Sequence, residues 1–268
     1  MAHSSSPIIF LPGTGGELPN FSGFNVGGGD RFVFEALSYP GWQRYASKGF
    51  TVDALIGDLE AQIVTKIPEG PIRIVGYSVG GHFGYAAALH LQIAGREIAG
   101  FCAIDSFMIG SLAPSAEWVT RTLTEAILIL REGRLGELHR WIRSKFWRGL
   151  FRLAGSRLPS LVQSFPPRLL TSLCAFDSIL EKELNLRLLI QAVSRWTASL
   201  DREPVALNAP TSLLRTRLTA SDDTAWERRC PSIEIFEIPG QHQTLLQADD
   251  IGPIRDAFLT ATRCWFEK

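Results

Sequence analysis

The sequence predicts an α/β protein: a mostly parallel sheet with helices on both faces and one helical insertion. Three observations carry that prediction. Short, β-branched apolar runs such as "PIIFLP" and "PIRIVGY" alternate with stretches of helical periodicity. These runs lack the polar alternation of a half-solvated strand, so the sheet is covered on both sides. From about Ala113 to Leu200 the strand signal stops, and it returns in "APTSLLRTRL" and "SIEIFEIPG".

Taken in order, "PIIFLP" is a buried strand closed by Pro12 and Gly13. "RFVFEALSYPG" is a second, ended by Pro40-Gly41. "VDALIGDLEAQIVTKI" places Leu55, Ile56, Leu59, Ile63, Val64 and Ile67 on one helical face. "PIRIVGY" is a third strand, followed by the helix "GGHFGYAAALHLQIAG", and "EIAGFCAIDSF" is a fourth. The middle segment shows helical periodicity broken at Pro159 and Pro166-Pro167. After the two returning strands, "DDIGPIRDAFLTATRCWF" is the last helix. The expected organisation is a single domain over residues 1–268, with residues 113–200 inserted in it as a helical lid.

Composition narrows the function classes. The 268 residues are 46% hydrophobic and 20% charged, which is ordinary for a globular chain. Lys plus Arg equals Asp plus Glu, 27 each, so no global charge points to nucleic acid. Cys102, Cys174, Cys230 and Cys264 have no metal-ligand spacing and are too few for a disulfide framework. "MAHSSSPIIFLPGTGG" has an apolar run too short for a signal-peptide core, and no later run approaches a membrane span. A cytoplasmic protein without stable membrane insertion, metal or redox cofactor is the expectation.

The chemistry centres on "GYSVGG". Ser78 lies between a strand and a helix, flanked by Gly76 and Gly80 at minus two and plus two. A sharp strand-to-helix turn of this kind lifts a hydroxyl above the carboxyl end of a sheet, and a side chain at either glycine would crowd it. A serine hydroxyl needs an adjacent base. Of five histidines, His3 is near the terminus, while His90 and His139 lie in helical stretches. His82 sits on the helix that follows the serine, whose dipole opposes an imidazolium there. His242, in the loop after the last strand, is where the chain order serine, acid, histidine puts the base. Two places offer the acid: Asp105, ending "FCAIDSF", and Asp222-Asp223, after "LLRTRLTAS". A single carboxylate ending an apolar buried strand is costly without a partner, which favours Asp105. For the oxyanion, the amide of Val79 is one donor. Thr14 of "LPGTGG" is the other, with Gly15 as second choice. "GTGG" lacks the lysine and spacing of a phosphate loop, and "GGGD" at residues 27–30 precedes a strand and reads as a loop.

With these residues in hand, the chain resembles the α/β-hydrolase thioesterases that release or edit products of nonribosomal peptide and polyketide synthases. "FLPGTGG" is similar to that family's opening strand and oxyanion loop, "LSYPGW" to its turn after the second strand, and "IRIVGYSVGG" to its elbow. "AGREIAGFCAIDSF" resembles the strand bearing the acid, "DDTAWERRC" the acidic-tryptophan stretch, and "IPGQHQTLL" the histidine loop. The resemblance implies the α/β-hydrolase fold, the triad Ser78, Asp105 and His242, a helical lid, and an acyl or peptidyl substrate on a phosphopantetheine carrier protein. One departure stands out. Where the family carries a helix between its first two strands, this chain has "ELPNFSGFNVGGGDR", without amphipathic period. An esterase or lipase acting on a free ester, and a catalytically silent scaffold of the same fold, are the alternatives.

Between Arg121 and Arg168 there are ten basic residues against three acids. Three readings fit: an amphipathic lid helix with a solvated face, a dock for an acidic carrier protein, and a membrane-surface helix.

Overall fold

The structure is a computed structural model that describes residues 7–16, 18–19, 21–25, 32–107, 131, 135–200, 205–217, 223–242, 245–246 and 251–266. The chain divides into two compact units. One comprises Met1–Tyr39, Thr51–Met108 and Arg195–Lys268, the other Pro40–Phe50 and Ile109–Ser194.

The first unit holds a six-stranded, wholly parallel sheet of β1 (Ile8–Leu11), β2 (Phe34–Ala36), β3 (Ile72–Tyr77), β4 (Ile98–Ile104), β5 (Thr211–Arg215) and β6 (Ile233–Glu237). Its order is β2-β1-β3-β4-β5-β6. This is the fold class the strand pattern predicts, and the expected strands all form. The continuous apolar runs are explained by two-sided covering. Ile8, Phe10, Val75, Tyr77, Cys102 and Ile104 form one core with Phe258 and Trp265. On the other face α3 (Val79–Ile93) lies against Ile74 and Phe101, so close that a Cβ on Gly84 would stand 3.0 and 3.2 Å from them. Helix α2 (Val52–Lys66) starts at Thr51, whose hydroxyl accepts from the Ala54 N–H at 3.1 Å. It buries Leu55, Ile56, Leu59 and Ile63. Val64 is off the expected face, 39% exposed, because at 100° per residue it lies too far round from Leu59 and Ile63 to share their stripe.

Among its described residues the link between β1 and β2 contains one 3₁₀ turn, Phe21–Phe24, and no α-helix. It is held by aromatic packing: Phe21 stacks on Phe34 at 4.9 Å and Phe24 meets Phe258 edge-on at 5.2 Å. Residues 27–30 lie outside the described residues. The unit is completed by α8 (Asp223–Arg229) and α9 (Ile251–Ala261).

The second unit is helical in all its described regular elements: α1 (Trp42–Tyr45), α4 (Leu135–Ala154), α5 (Leu158–Ser164), α6 (Pro167–Phe176) and most of α7 (Ser178–Leu200). Pro159 occupies the first turn of α5 and Pro167 that of α6, where a missing N–H costs nothing. The cations of α4 are partly consumed within the unit. Arg143 pairs with Asp177 at 2.6 Å and Arg148 with Glu183 at 2.6 Å. Both are ion-paired although partly exposed, so a polar helix face that is merely solvated does not describe these two residues.

Asp177 also caps α7. Its Oδ1 accepts from the N–H groups of Ile179 and Leu180, both at 3.0 Å, and its Oδ2 from Trp147 Nε1 at 3.0 Å. Burial by itself pushes this carboxyl up, but the hydrogen bonds from Arg143, Leu180 and Trp147 outweigh it and hold it below its ordinary value of 3.8. A depressed folded-state value stabilises the fold fully above the unfolded value, and the contribution is lost as pH falls through the folded one. Asp177→Ala is therefore expected to cost about 1–2 kcal/mol at neutral pH by chemical denaturation. The gap between variant and wild type should close only in acid below that ordinary carboxyl value.

Candidate active site

Two non-glycine residues among those described have positive φ: Ser78 at 55° and Asp105 at 45°. Such conformations are strained and persist only where the surroundings over-determine them. Both belong to the residues singled out in the sequence.

Ser78 closes β3 and opens α3. Its N–H bonds the Ile104 carbonyl at 2.9 Å, and its own carbonyl accepts from Gly81 N–H at 3.1 Å. The flanking glycines are obligatory. A Cβ on Gly76 would fall on the backbone carbonyl of Gly80, and one on Gly80 on the carbonyls of Leu11 and Pro12. Val79 is the first residue of α3, so its N–H belongs to the turn of donors that a helix leaves without intrahelical acceptors.

Thr14 and Gly15 are the central residues of a turn closed by Gly16 N–H to Gly13 carbonyl at 3.0 Å. This loop adjoins the serine: a Cβ on Gly13 would stand 3.4 Å from Ser78 Cβ. Tyr39 anchors it by donating its hydroxyl to the Pro12 carbonyl at 2.7 Å.

Asp105 follows β4 and has no exposed surface. Its Oδ1 accepts from the Thr216 N–H at 2.8 Å, and its Oδ2 lies 2.8 Å from His242 Nδ1. The structure thus brings Asp105 and His242 together as expected. With Nδ1–H turned to the carboxylate, the neutral imidazole presents Nε2 as a base. The ring is 25% exposed and clamped between two aromatics. Tyr77 stacks on it at 5.2 Å and Phe107 meets it edge-on at 4.7 Å. Tyr77 also donates its hydroxyl to the His242 carbonyl, so the residue before the serine holds the histidine loop.

The competing candidates have other duties. Asp223 receives two bonds from Arg215 Nε, at 2.7 and 3.0 Å, and Asp222 lies outside the described residues. His90 meets Glu60 at 2.6 Å, His139 is exposed, and His3 lies outside the described residues. His82, on the helix that follows the serine, is fully buried between Arg229 and the Phe107 carbonyl. Burial pushes the thiols of Cys102 and Cys230 up, the latter to about 12, which disfavours the reactive thiolate. No cluster of three metal-ligating side chains occurs among the described residues, and no helix there is long and apolar enough to cross a membrane. Tyr77, Thr216, Trp226 and Arg229 were not singled out individually from sequence. Only Trp226 had a signal, as the tryptophan of "DDTAWERRC".

The sheet order and the serine turn define an α/β-hydrolase fold. No family model and no curated protein sequence matches the chain, but solved structures do. It is similar to the NocB thioesterase domain in covalent complex with a fluorophosphonate nocardicin G analogue, at 19% identity and TM-score 0.58, over 96% of this chain and 95% of that one. It is also similar to the Vlm2 thioesterase domain bound with a dodecadepsipeptide, at 18% identity and TM-score 0.57, over 95% and 92%. A third similar structure is holo-AB3403, a four-domain nonribosomal peptide synthetase, at 14% identity and TM-score 0.55, over 96% of this chain and 19% of that. At these identities the likeness establishes the fold.

Because the obstacle at Gly76 is backbone, which cannot swing aside, Gly76→Ala is expected to destabilise the protein by about 3 kcal/mol. Thermal denaturation should show this as a lowered midpoint, whereas Gly57→Ala, at an open and exposed position inside α2, should raise it slightly, by the roughly 0.5–1 kcal/mol that separates alanine from glycine in a helix.

Proposed function

We propose that the chain is a serine thioesterase that releases an acyl or peptidyl chain from a phosphopantetheine carrier protein through an acyl-enzyme intermediate. The observation that carries this reading is the contact of the buried Asp105 carboxylate with His242, whose ring is stacked by the residue before a serine held at positive φ. The fold shared with thioesterase domains along nearly the whole chain supports the substrate class.

In this mechanism Ser78 Oγ attacks the thioester carbonyl carbon while His242 Nε2 takes the hydroxyl proton. Asp105 holds the ring by Nδ1–H and stabilises the imidazolium. The N–H groups of Val79 and Thr14 receive the oxyanion. Collapse breaks the C–S bond, and the proton passes from His242 to the departing thiolate of the pantetheine arm. Water or an internal nucleophile then gives its proton to His242 and attacks the ester carbonyl, restoring Ser78 and freeing the product. In this reading the inserted segment 113–200 is the lid.

A carrier protein is acidic in this reading and meets the lid through basic residues that remain exposed. Arg143 and Arg148 are committed to Asp177 and Glu183, so the dock falls to Arg140, Arg157 and Arg168. Reversing these three to Glu should raise KM for a carrier-bound thioester and leave a short free thioester unchanged. The difference should shrink with salt, since exposed charges are screened over roughly 10 Å at 0.1 M.

Intact mass with a loaded carrier protein tests the core of the proposal. Wild type should gain the acyl mass and Ser78→Ala should not. His242→Ala should lose several orders of magnitude in turnover and Asp105→Asn about 10⁴, with Asp223→Asn nearly silent. A wild type inert to carrier thioesters but active on free esters would make it an esterase. A wild type inert to both substrates that also resists a fluorophosphonate would make it a silent scaffold.

A further inference from the structure

We infer that His82, Arg229 and Trp226 form one positioning cluster, which grips the two backbone carbonyls after Asp105 and thereby aims its carboxylate and seats Phe107 against His242. The inference rests on the reading of Asp105 and His242 as the catalytic pair.

The donor and acceptor roles are determined by chemistry. A guanidinium has only N–H donors. Arg229 places an Nη 3.3 Å from His82 Nδ1, so Nδ1 is the bare nitrogen and the ring proton sits on Nε2. That Nε2–H donates to the Phe107 carbonyl at 3.1 Å. A second ring proton would face a permanent cation, so the imidazole stays neutral. Trp226 lies parallel to the His82 ring at 5.3 Å and donates its Nε1–H to the Ser106 carbonyl at 2.9 Å. The guanidinium is held in turn by the Thr197 carbonyl at 3.2 Å and lies over the Trp226 ring at 5.4 Å. All three side chains are buried.

Two successive carbonyls, of Ser106 and Phe107, are therefore gripped from one cluster. The residue before them is Asp105, whose positive φ is strained and survives only under external constraint. Releasing either carbonyl lets the Asp105 backbone relax toward negative φ. That swings the carboxylate off Nδ1 and withdraws the Phe107 ring from the imidazole edge. A purely structural core would bury apolar side chains here at lower cost than an imidazole and a guanidinium. What these polar groups bond is the turn that carries the acid.

Two experiments on the full chain decide the matter. In wild type, ¹⁵N-histidine NMR should show His82 as the neutral Nε2–H tautomer throughout about pH 6–8, the range where an ordinary histidine titrates. An Nδ1–H tautomer, or titration of His82 in that window, overturns the proposal without any variant having to fold. In the second, a fluorophosphonate reports the reactivity of Ser78. His82→Leu and Trp226→Phe, confirmed folded by circular dichroism, should be labelled roughly 10–100-fold more slowly, as expected of a displaced catalytic group. On a free thioester kcat should fall while KM holds. His82→Gln, which keeps an amide donor for the Phe107 carbonyl, should recover most of the loss. Folded variants that label at the wild-type rate, with only a lowered melting point, would make the cluster structural and overturn the proposal while leaving the thioesterase reading intact. A wild type that is not labelled at Ser78 overturns that reading, and the positioning role with it.

Discussion

Asp105 is a carboxylate without exposed surface, and a charge in that position is tolerable only if its oxygens are engaged. One oxygen accepts an amide N–H from the end of β5, and the other faces the histidine loop beyond β6. The acid therefore ties three consecutive strands together at their carboxyl ends, where ligands of a parallel sheet bind. Its positive φ is part of the same constraint, because an extended residue would continue the strand and stand its side chain on a face of the sheet instead of at the strand's end. The Asp105 N–H, bonded to the Leu214 carbonyl at 2.7 Å, keeps the backbone in the sheet until the turn begins.

The serine turn meets a different demand, which is closeness. Gly76 and Gly80 bring β3 and the start of α3 into backbone contact, and Gly81 does the same toward Ser106, where a Cβ would strike the Ser106 side chain. Strand β1 and its following loop are drawn in by the same glycines. Three segments distant in sequence, the Pro12–Gly16 turn, the Ser78 elbow and the Asp105 turn, thus share one rim of the sheet. Tyr77 completes the connection, since its ring and hydroxyl both engage the histidine loop from the elbow itself.

Much of this was legible in the sequence, for physical reasons that also mark the limits. Strands covered on both faces must be nearly continuously apolar, which makes β1, β3, β4 and β5 visible as runs, whereas the edge strands β2 and β6 are only partly buried and carry glutamates among their apolar residues. The elbow glycines are visible because only glycine fits where backbones touch. Asp105 shows itself as a lone charge ending an apolar strand. What was hidden depends on side chains meeting across long separations. His82 looked like a histidine on a helix dipole, because nothing local reveals that Arg229, 147 residues further along the chain, turns a donor onto its ring. Thr216 acts through its backbone N–H, a group that every residue but proline carries, so no residue type could announce it. Val64 fits a helical window by eye but lies outside the buried stripe of α2.

The basic run of the helical unit shows the same limit for electrostatics. Counting charges along a segment finds an excess of cations, yet the acids that answer two of them lie on the later helix α7. Glu183 is only 3% exposed and takes both the Arg148 guanidinium and the Ser144 hydroxyl, each at 2.6 Å. An anion so placed would be costly alone, although its partner Arg148 is itself partly exposed. Arg143 and Arg148 lie nearly one and a half turns apart on α4, and their partners Asp177 and Glu183 nearly two turns apart on α7. Two ion pairs at such spacing set the register of one helix on the other more strictly than apolar contacts, which tolerate sliding. The cations that look like a surface signal are thus divided in role: some fix how the helices pack, and only the remainder meets whatever approaches from solvent.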